Sequence, residues 1–79
     1  MTNRSFQLYD VVRALGDIPD SHVKAGTLGT IVAKYEESPN AYLIEFFDNE
    51  KVTIDVIAVV DPSLLELAWS VESQDWVRS

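Results

Sequence analysis

The sequence predicts a small, mainly β domain built from short strands that are separated by turns. Apolar and polar residues alternate along Tyr42 to Phe47 and again along Val52 to Val56, which is the periodicity of a strand. Gly, Pro, Asn and Asp residues lie between the apolar runs. At 79 residues, of which 47% are hydrophobic, the chain can build one hydrophobic core and is too short for two.

The N-terminal half predicts two strands joined by a long loop. The apolar run Leu8 to Leu15 predicts the first strand, and Gly16 to Gly26 predicts the loop. The β-branched and aromatic residues of Thr27 to Tyr35 predict the second strand, in which Gly29 indicates a bulge or a close backbone approach. Glu36 to Asn40 then predicts a turn.

The clearest pattern is a β-hairpin whose turn is Asp48 to Glu50. Because side chains alternate between the faces of a strand, one set of residues should form the core. That set is Tyr42, Ile44, Phe46, Val52, Ile54 and Val56. The opposite set, on the outward face, is Leu43, Glu45, Phe47, Thr53 and Asp55.

The C-terminal third is open to two interpretations. Asp61, Pro62, Ser63 and Glu66 match an N-cap, a first-turn proline and a capping box, which slightly favours a helix. The alternative is a short turn that leads into a final strand, Leu65 to Trp69. The polar segment that follows is expected to be a tail that orders only against another surface.

Several motifs resemble one bacterial family. They are Leu8-Tyr9-Asp10-Val11-Val12, Ile18-Pro19, the run Val23 to Val32 with its two glycines, and the strand Tyr42 to Phe46. Together with the strand spacing, these motifs are similar to the family called domain of unknown function 4926, over about Leu8 to Leu67.

The resemblance implies an SH3-like barrel of five strands, with a short turn or 3-10 helix before the last strand. On that basis we divide the chain into an N-terminal arm (1–7), a barrel domain (8–69) and a C-terminal tail (70–79). Some members are encoded beside secreted toxins, which implies by analogy an immunity or antitoxin role.

The charge of the chain bears on its partners and its location. The net charge is −7, and the six cations are scattered along the sequence, so neither nucleic acid nor an anionic membrane is the expected partner. There is no cysteine for redox chemistry, and no apolar run matches a signal peptide or a membrane span. We expect a cytoplasmic protein.

No residue pattern predicts catalysis. His22 with Asp17 and Asp20 could form a metal or acid–base site, but a single histidine beside loop aspartates is usually solvated. No pair of carboxylates has the spacing of a hydrolytic site. We therefore expect no enzymatic activity, no cofactor and no metal.

The expected function is binding of another protein that has a basic surface. On the outward hairpin face Leu43 and Phe47 flank Glu45, and they are either covered by the C-terminal segment or exposed. The candidate partner-binding residues are Leu43, Glu45, Phe47, Asp55, Trp69 and Trp76. Two alternatives are a nucleic-acid-binding or translation-associated SH3-like module and a small accessory subunit of a larger enzyme complex.

Overall fold

Six strands form one antiparallel sheet in the computed structural model, which describes residues 6–35 and 41–77. The strands are β1 (Val11–Ala14), β2 (Leu28–Tyr35), β3 (Ala41–Phe47), β4 (Thr53–Val59), β5 (Leu65–Ser70) and β6 (Asp75–Trp76). A 3-10 turn, Pro62–Leu64, precedes β5. The mainly β prediction is confirmed, and these described residues contain no α-helix. No helix in the described part of the chain is long and apolar enough to cross a membrane.

The strand order is β4-β3-β2-β1-β5-β6. Strands β1 to β4 follow one another as a meander, and β5 returns to pair with β1. Among the described residues β4 and β6 are the two edges of the sheet and do not pair with each other. The sheet therefore has one strand more than the sequence predicted, because Asp75–Trp76, in the segment expected to be a tail, pairs back on β5.

One face of the sheet covers the hydrophobic core. The fully buried side chains of the central strands include Val12, Ile31, Ile44 and Phe46. The long loop between β1 and β2 contributes Ile18 and Val23, and the C-terminal strands contribute Leu65 and Ala68. Phe6 is also only 2% exposed and packs edge-to-face on Tyr42 with a centroid separation of 5.4 Å. The segment predicted as an arm thus supplies part of the core.

Gly29 on β2 lies directly against two side chains of β3. A Cβ atom at this position would lie 2.6 Å from Ile44 Cγ2 and 2.8 Å from Phe46 Cδ1, well inside contact distance. The close approach predicted at this glycine is confirmed, because only a hydrogen atom fits beneath these two buried side chains. The bulge in this strand pair lies further along, between Ile31 and Ala33.

The predicted core face of the hairpin is correct for β3 and wrong for β4. On β3, Ile44 and Phe46 are fully buried, and Tyr42 is half-buried against the core. Beyond the turn, Val52, which precedes β4, and Val56, which lies in it, are 57% and 51% exposed, so the prediction that they are buried is wrong. The core side chains of β4 are instead Ile57 and the buried Val59.

A β-bulge explains the inversion at Ile54 and Val56, whereas Val52 lies before the first residue of β4. Phe46 pairs with Asp55 and Phe47 with Thr53, so Ile54 is an extra residue opposite β3. One inserted residue moves every later side chain to the other face of the strand. Ile54 therefore faces outward, whereas Asp55 lies opposite the buried Phe46, contrary to the predicted arrangement.

The C-terminal third is a 3-10 turn followed by a strand, as the family resemblance implied, and the helix that the local pattern slightly favoured does not form. The Asp61 carboxylate accepts hydrogen bonds from the Ser63 N–H and hydroxyl at 3.0 and 2.7 Å, and Pro62 takes the first position of the 3-10 turn. The cap was thus predicted correctly, but the chain then extends along β1 and buries Leu65. Glu66 completes no capping box and pairs with β1. The turn predicted at Glu36 to Asn40 lies outside the described residues.

Candidate binding groove

A row of outward-facing side chains crosses the whole sheet. Neighbouring members of the row pair directly across adjacent strands, from β6 to β4. Residues directly opposite in an antiparallel pair point to the same face, so these side chains share the face opposite the core. The row is Trp76, Trp69, Val11, Thr30, Glu45 and Val56.

A second row runs parallel to the first, displaced by two residues on β1, β2 and β3 and by three on β4 and β5, where the registers shift. It follows from the same registers and includes an ion pair between Arg13 Nη1 and Glu66 Oε2 at 2.6 Å. The row is Glu66, Arg13, Leu28, Phe47 and Thr53.

Members of both rows, all except Val56, Thr53 and Glu66, line a concave space of about 1090 Å³, which we call the outer groove. Its floor is formed by β1 and β2, with Val11, Leu28 and Thr30 half-buried. One wall carries Trp69 and Trp76, and the other carries the β3 and β4 side chains Glu45, Phe47 and Ile54. The loop Ala25 to Thr27 and the hairpin turn from Asp48 to Lys51 border one end.

The concavity coincides with two irregularities of the sheet. The β1–β5 register shifts between Val11 and Val12, beneath the tryptophan wall, and the β3–β4 register shifts between Phe46 and Phe47, beneath the other wall. Bulges bend a strand and increase its twist. We attribute the curvature of the groove to this pair of bulges, one on each side of the floor.

Neither of the two carboxylates that line the groove, Glu45 and Asp48, has a cationic partner among the described residues. Arg13 is paired with Glu66, and the Asp48 carboxylate caps the hairpin turn by accepting the N–H groups of Glu50 and Val52. Glu45 accepts a hydrogen bond from the Thr53 hydroxyl through one oxygen, and no Lys, Arg or His of the described chain lies within 4.0 Å of it. The groove thus presents an available negative group on the wall opposite the two tryptophans.

Four of the six predicted binding residues line this groove together. Glu45 and Phe47 form one wall, while the half-buried Trp69 and the 56% exposed Trp76 form the other. Leu43 lies on the same face of β3, but it is half-buried between its cross-strand neighbours Ala33 and Ala58 and does not line the groove.

Asp55 lies on the other side of the sheet, so the prediction that it neighbours Glu45 is wrong. Its carboxylate accepts the His22 backbone N–H at 3.0 Å, and His22 Nδ1 lies 3.5 Å away. The backbone hydrogen bond is the main reason that the pKa of Asp55 is lowered, opposed by partial burial and reinforced by the imidazole.

The loop residues considered for metal or acid–base chemistry have separate partners. His22 contacts Asp55, while the Asp17 carboxylate accepts the Ala25 N–H at 2.9 Å and lies 4.0 Å from Lys24 Nζ. Asp20 is an exposed turn residue with a φ of 60°. No group of three or more potential ligands is assembled in residues 6–35 and 41–77.

Sequence reasoning missed the floor of the groove. Val11 and Arg13 are two residues apart on β1, and Leu28 and Thr30 are two residues apart on β2, so each pair lies on one face of its strand. This spacing was the signal from which the floor could have been predicted. It was obscured because Val12 and Ile31, on the opposite face, are equally apolar.

Comparison with known proteins identifies one family. The model of the family described as domain of unknown function (DUF4926) matches residues 8–65, which confirms the resemblance seen in the motifs. The match extends from before β1 to the first residue of β5, and so leaves both tryptophans outside it. No curated protein and no solved structure matches the chain.

Proposed function

The chain belongs to the DUF4926 family, and we propose that it is a non-catalytic protein-binding module whose binding surface is the outer groove. One observation carries this proposal: the fold places Trp69, Trp76 and Phe47 around a single concave surface that also holds Glu45. Tryptophan and other aromatic side chains supply much of the binding energy at protein interfaces when they are desolvated.

The exposure of the aromatic wall supports a partner on this face. Trp76 is 56% exposed on a two-residue edge strand, and its cross-strand neighbour Trp69 is half-buried. A pair of large indoles turned away from the core adds little to the core itself, and a clustered apolar surface with a polar rim is typical of an interaction site.

The charge of the chain favours a basic partner. A net charge of −7 attracts cationic surfaces over several ångströms and speeds their association. This charge suits the immunity or antitoxin role proposed by analogy, in which the target is a basic bacterial effector such as a nuclease. Nucleic acid is a weaker candidate, because one groove cation, Arg13, is already paired with Glu66 and Lys51 alone is left.

The finer fold assignment is also a proposal. We infer an SH3-like barrel in which β1 to β5 are the barrel strands and β6 is an addition. The meander β1 to β4, the 3-10 turn and the return of β5 to β1 support this assignment. A cytoplasmic location remains a prediction.

Site-specific photocrosslinking in the native cell tests the proposal. A benzoylphenylalanine at Phe47 should form an adduct with one partner protein, and the same probe at Tyr35, an exposed aromatic position outside the groove, should not. The captured protein, once purified, should bind the unmodified chain directly and lose at least about tenfold in affinity with Trp76→Ala. Equal adducts from both positions, or an adduct with nucleic acid alone, would contradict the proposal.

A further inference from the structure

We propose that the outer groove binds an extended segment of the partner that crosses the strands. In this segment a large apolar side chain packs on Trp69 and Trp76, and an Arg or Lys four residues away binds Glu45. The inference rests on the proposed function and adds the chemistry and spacing of the recognised segment.

The spacing follows from the first row of the groove. Trp69 and Glu45 belong to the same row, with Val11 and Thr30 between them on β1 and β2. Neighbouring strands lie about 4.8 Å apart, so these three intervals span about 14 Å along the sheet. Curvature of the groove shortens the straight-line distance somewhat.

A β-extended ligand matches this span at one spacing. Its residues advance about 3.2–3.4 Å each, so residues i and i+4 lie about 13–14 Å apart and point to the same side. Residues two apart span about 7 Å, which is too short for the roughly 14 Å between the walls, and residues six apart span about 20 Å, which is too long. The middle residue of the segment, i+2, falls over the half-buried Val11 and Thr30, where a small side chain fits.

The chemistry at the two ends follows from the charges in the groove. At one end the indoles of Trp69 and Trp76 offer an apolar surface. At the other, Thr53 occupies only one oxygen of Glu45, so the second oxygen is available to a cation. Arg13 is held by Glu66 at 2.6 Å, and Lys51, in the hairpin turn, makes no ion pair with Glu45.

A panel of labelled synthetic peptides tests the spacing. Each peptide carries one Leu and one Arg in a Gly/Ser/Thr background, separated by two, four, six or nine positions, and binding is measured by fluorescence anisotropy. The spacing of nine represents a helical ligand, since a helix rises about 1.5 Å per residue and needs about nine residues to span 14 Å. We expect the spacing of four to bind about fivefold more tightly than the others, as one ion pair allows.

Variants of the groove provide the controls. Glu45→Gln and Trp76→Ala should each abolish the preference for four, whereas Glu50→Gln, an exposed residue of the hairpin turn that does not itself line the groove, should retain it. Trp76 is suited to this test because it is exposed on an edge strand, and circular dichroism verifies that the fold is kept. A best spacing of nine, no preference, no binding by any peptide, or a preference that survives Glu45→Gln would each overturn the inference.

This test is separable from the test of the proposed function. Crosslinking from position 47 does not depend on the spacing of any peptide. If crosslinking succeeds and the peptide panel shows no preference for four, the groove binds its partner through a different kind of segment. If crosslinking from position 47 fails, both proposals fall.

Discussion

The buried carboxylate of Asp10 accepts a hydrogen bond from the backbone N–H of Val71 at 2.8 Å, across 61 positions of sequence. Its second oxygen accepts the Gln7 N–H at 2.8 Å, and the residue is only 3% exposed. One acid therefore joins the turn before β1 to the end of β5. Because Val71 lies two residues after Trp69, this bond also fixes the strand end that carries the aromatic wall.

Removal of this carboxylate should destabilise the fold strongly. Asp10→Ala leaves two N–H groups without their charged acceptor, and we expect a loss of about 2–4 kcal/mol in the free energy of unfolding, measured by urea denaturation. Glu50→Ala, an exposed acidic position, is the control and should change stability by less than about 0.5 kcal/mol. Similar losses in both variants would mean that net charge, not the Asp10 contacts, is responsible.

Substitution of Gly29 should also be costly. A methyl group there would press on the fully buried Ile44 and Phe46, so Gly29→Ala should lower stability by about 1–3 kcal/mol, as overpacking does. Gly16→Ala is the matched control, because no heavy atom lies within 4 Å of its added Cβ. It should be neutral or stabilise by up to about 1 kcal/mol. A neutral Gly29→Ala would show that β2 and β3 are not packed so closely.

The face assignment of β4 can be tested with two valines. Val59 is 4% exposed and Val56 is 51% exposed, three positions apart on the same strand. Val59→Ala should cost about 2 kcal/mol in thermal or urea unfolding, whereas Val56→Ala should cost less than about 0.5 kcal/mol. The reverse order would restore the register expected from simple alternation, without the bulge.

The hydrogen bond to Asp55 should make stability depend on pH in acid. The His22 N–H holds the pKa of Asp55 below the ordinary value of 3.8, so the folded state favours the ionised form. This contribution is complete above about pH 3.8 and is lost as the pH falls through the lower folded pKa. Asp55→Asn should therefore be less stable than the wild type at pH 7, with the difference shrinking below pH 3.8, in urea titrations at several pH values.

A second variant identifies the donor. His22→Ala removes the imidazole and keeps the backbone N–H, so it should retain most of this pH dependence. If His22→Ala removes the dependence entirely, the imidazole and not the backbone is what stabilises the carboxylate.

Local chemistry made some parts of the fold predictable. Alternation gave the correct faces of β3, and hence the shared wall of Glu45 and Phe47. The need for a residue without a side chain marked Gly29, and the Asp61 cap was correct for a 3-10 turn. These features depend on residues close together in sequence.

The errors arose where distant strands decide the outcome. The bulge at Phe46 and Phe47 was invisible in β4, because its apolar residues occupy both faces and fit either register. The local pattern slightly favoured a helix after Pro62, but the chain there pairs with β1. Helix propensity depends on neighbouring residues and carries no information about that distant strand. Strand β6 has no apolar pattern of its own and exists only by pairing with β5.

Anchoring and electrostatic steering in the outer groove can be separated by kinetics with the partner captured by crosslinking. Phe47→Ala should speed dissociation by about fivefold or more, because a desolvated aromatic anchor carries more than about 1 kcal/mol. Tyr35→Ala, an exposed aromatic outside the groove, should leave dissociation unchanged. Both rates are measurable by surface plasmon resonance.

Glu45→Lys should instead slow association with the partner and make the association rate less sensitive to salt, because its carboxylate lies in the groove that the basic segment enters. Glu50→Lys makes the same change in net charge in the neighbouring exposed turn and should have a clearly smaller effect. If the two charge reversals slow association equally, attraction comes from the net charge of the whole chain and not from the groove. If Phe47→Ala leaves dissociation unchanged while Tyr35→Ala speeds it, the partner binds at the end of β2 and the outer groove is not the interface.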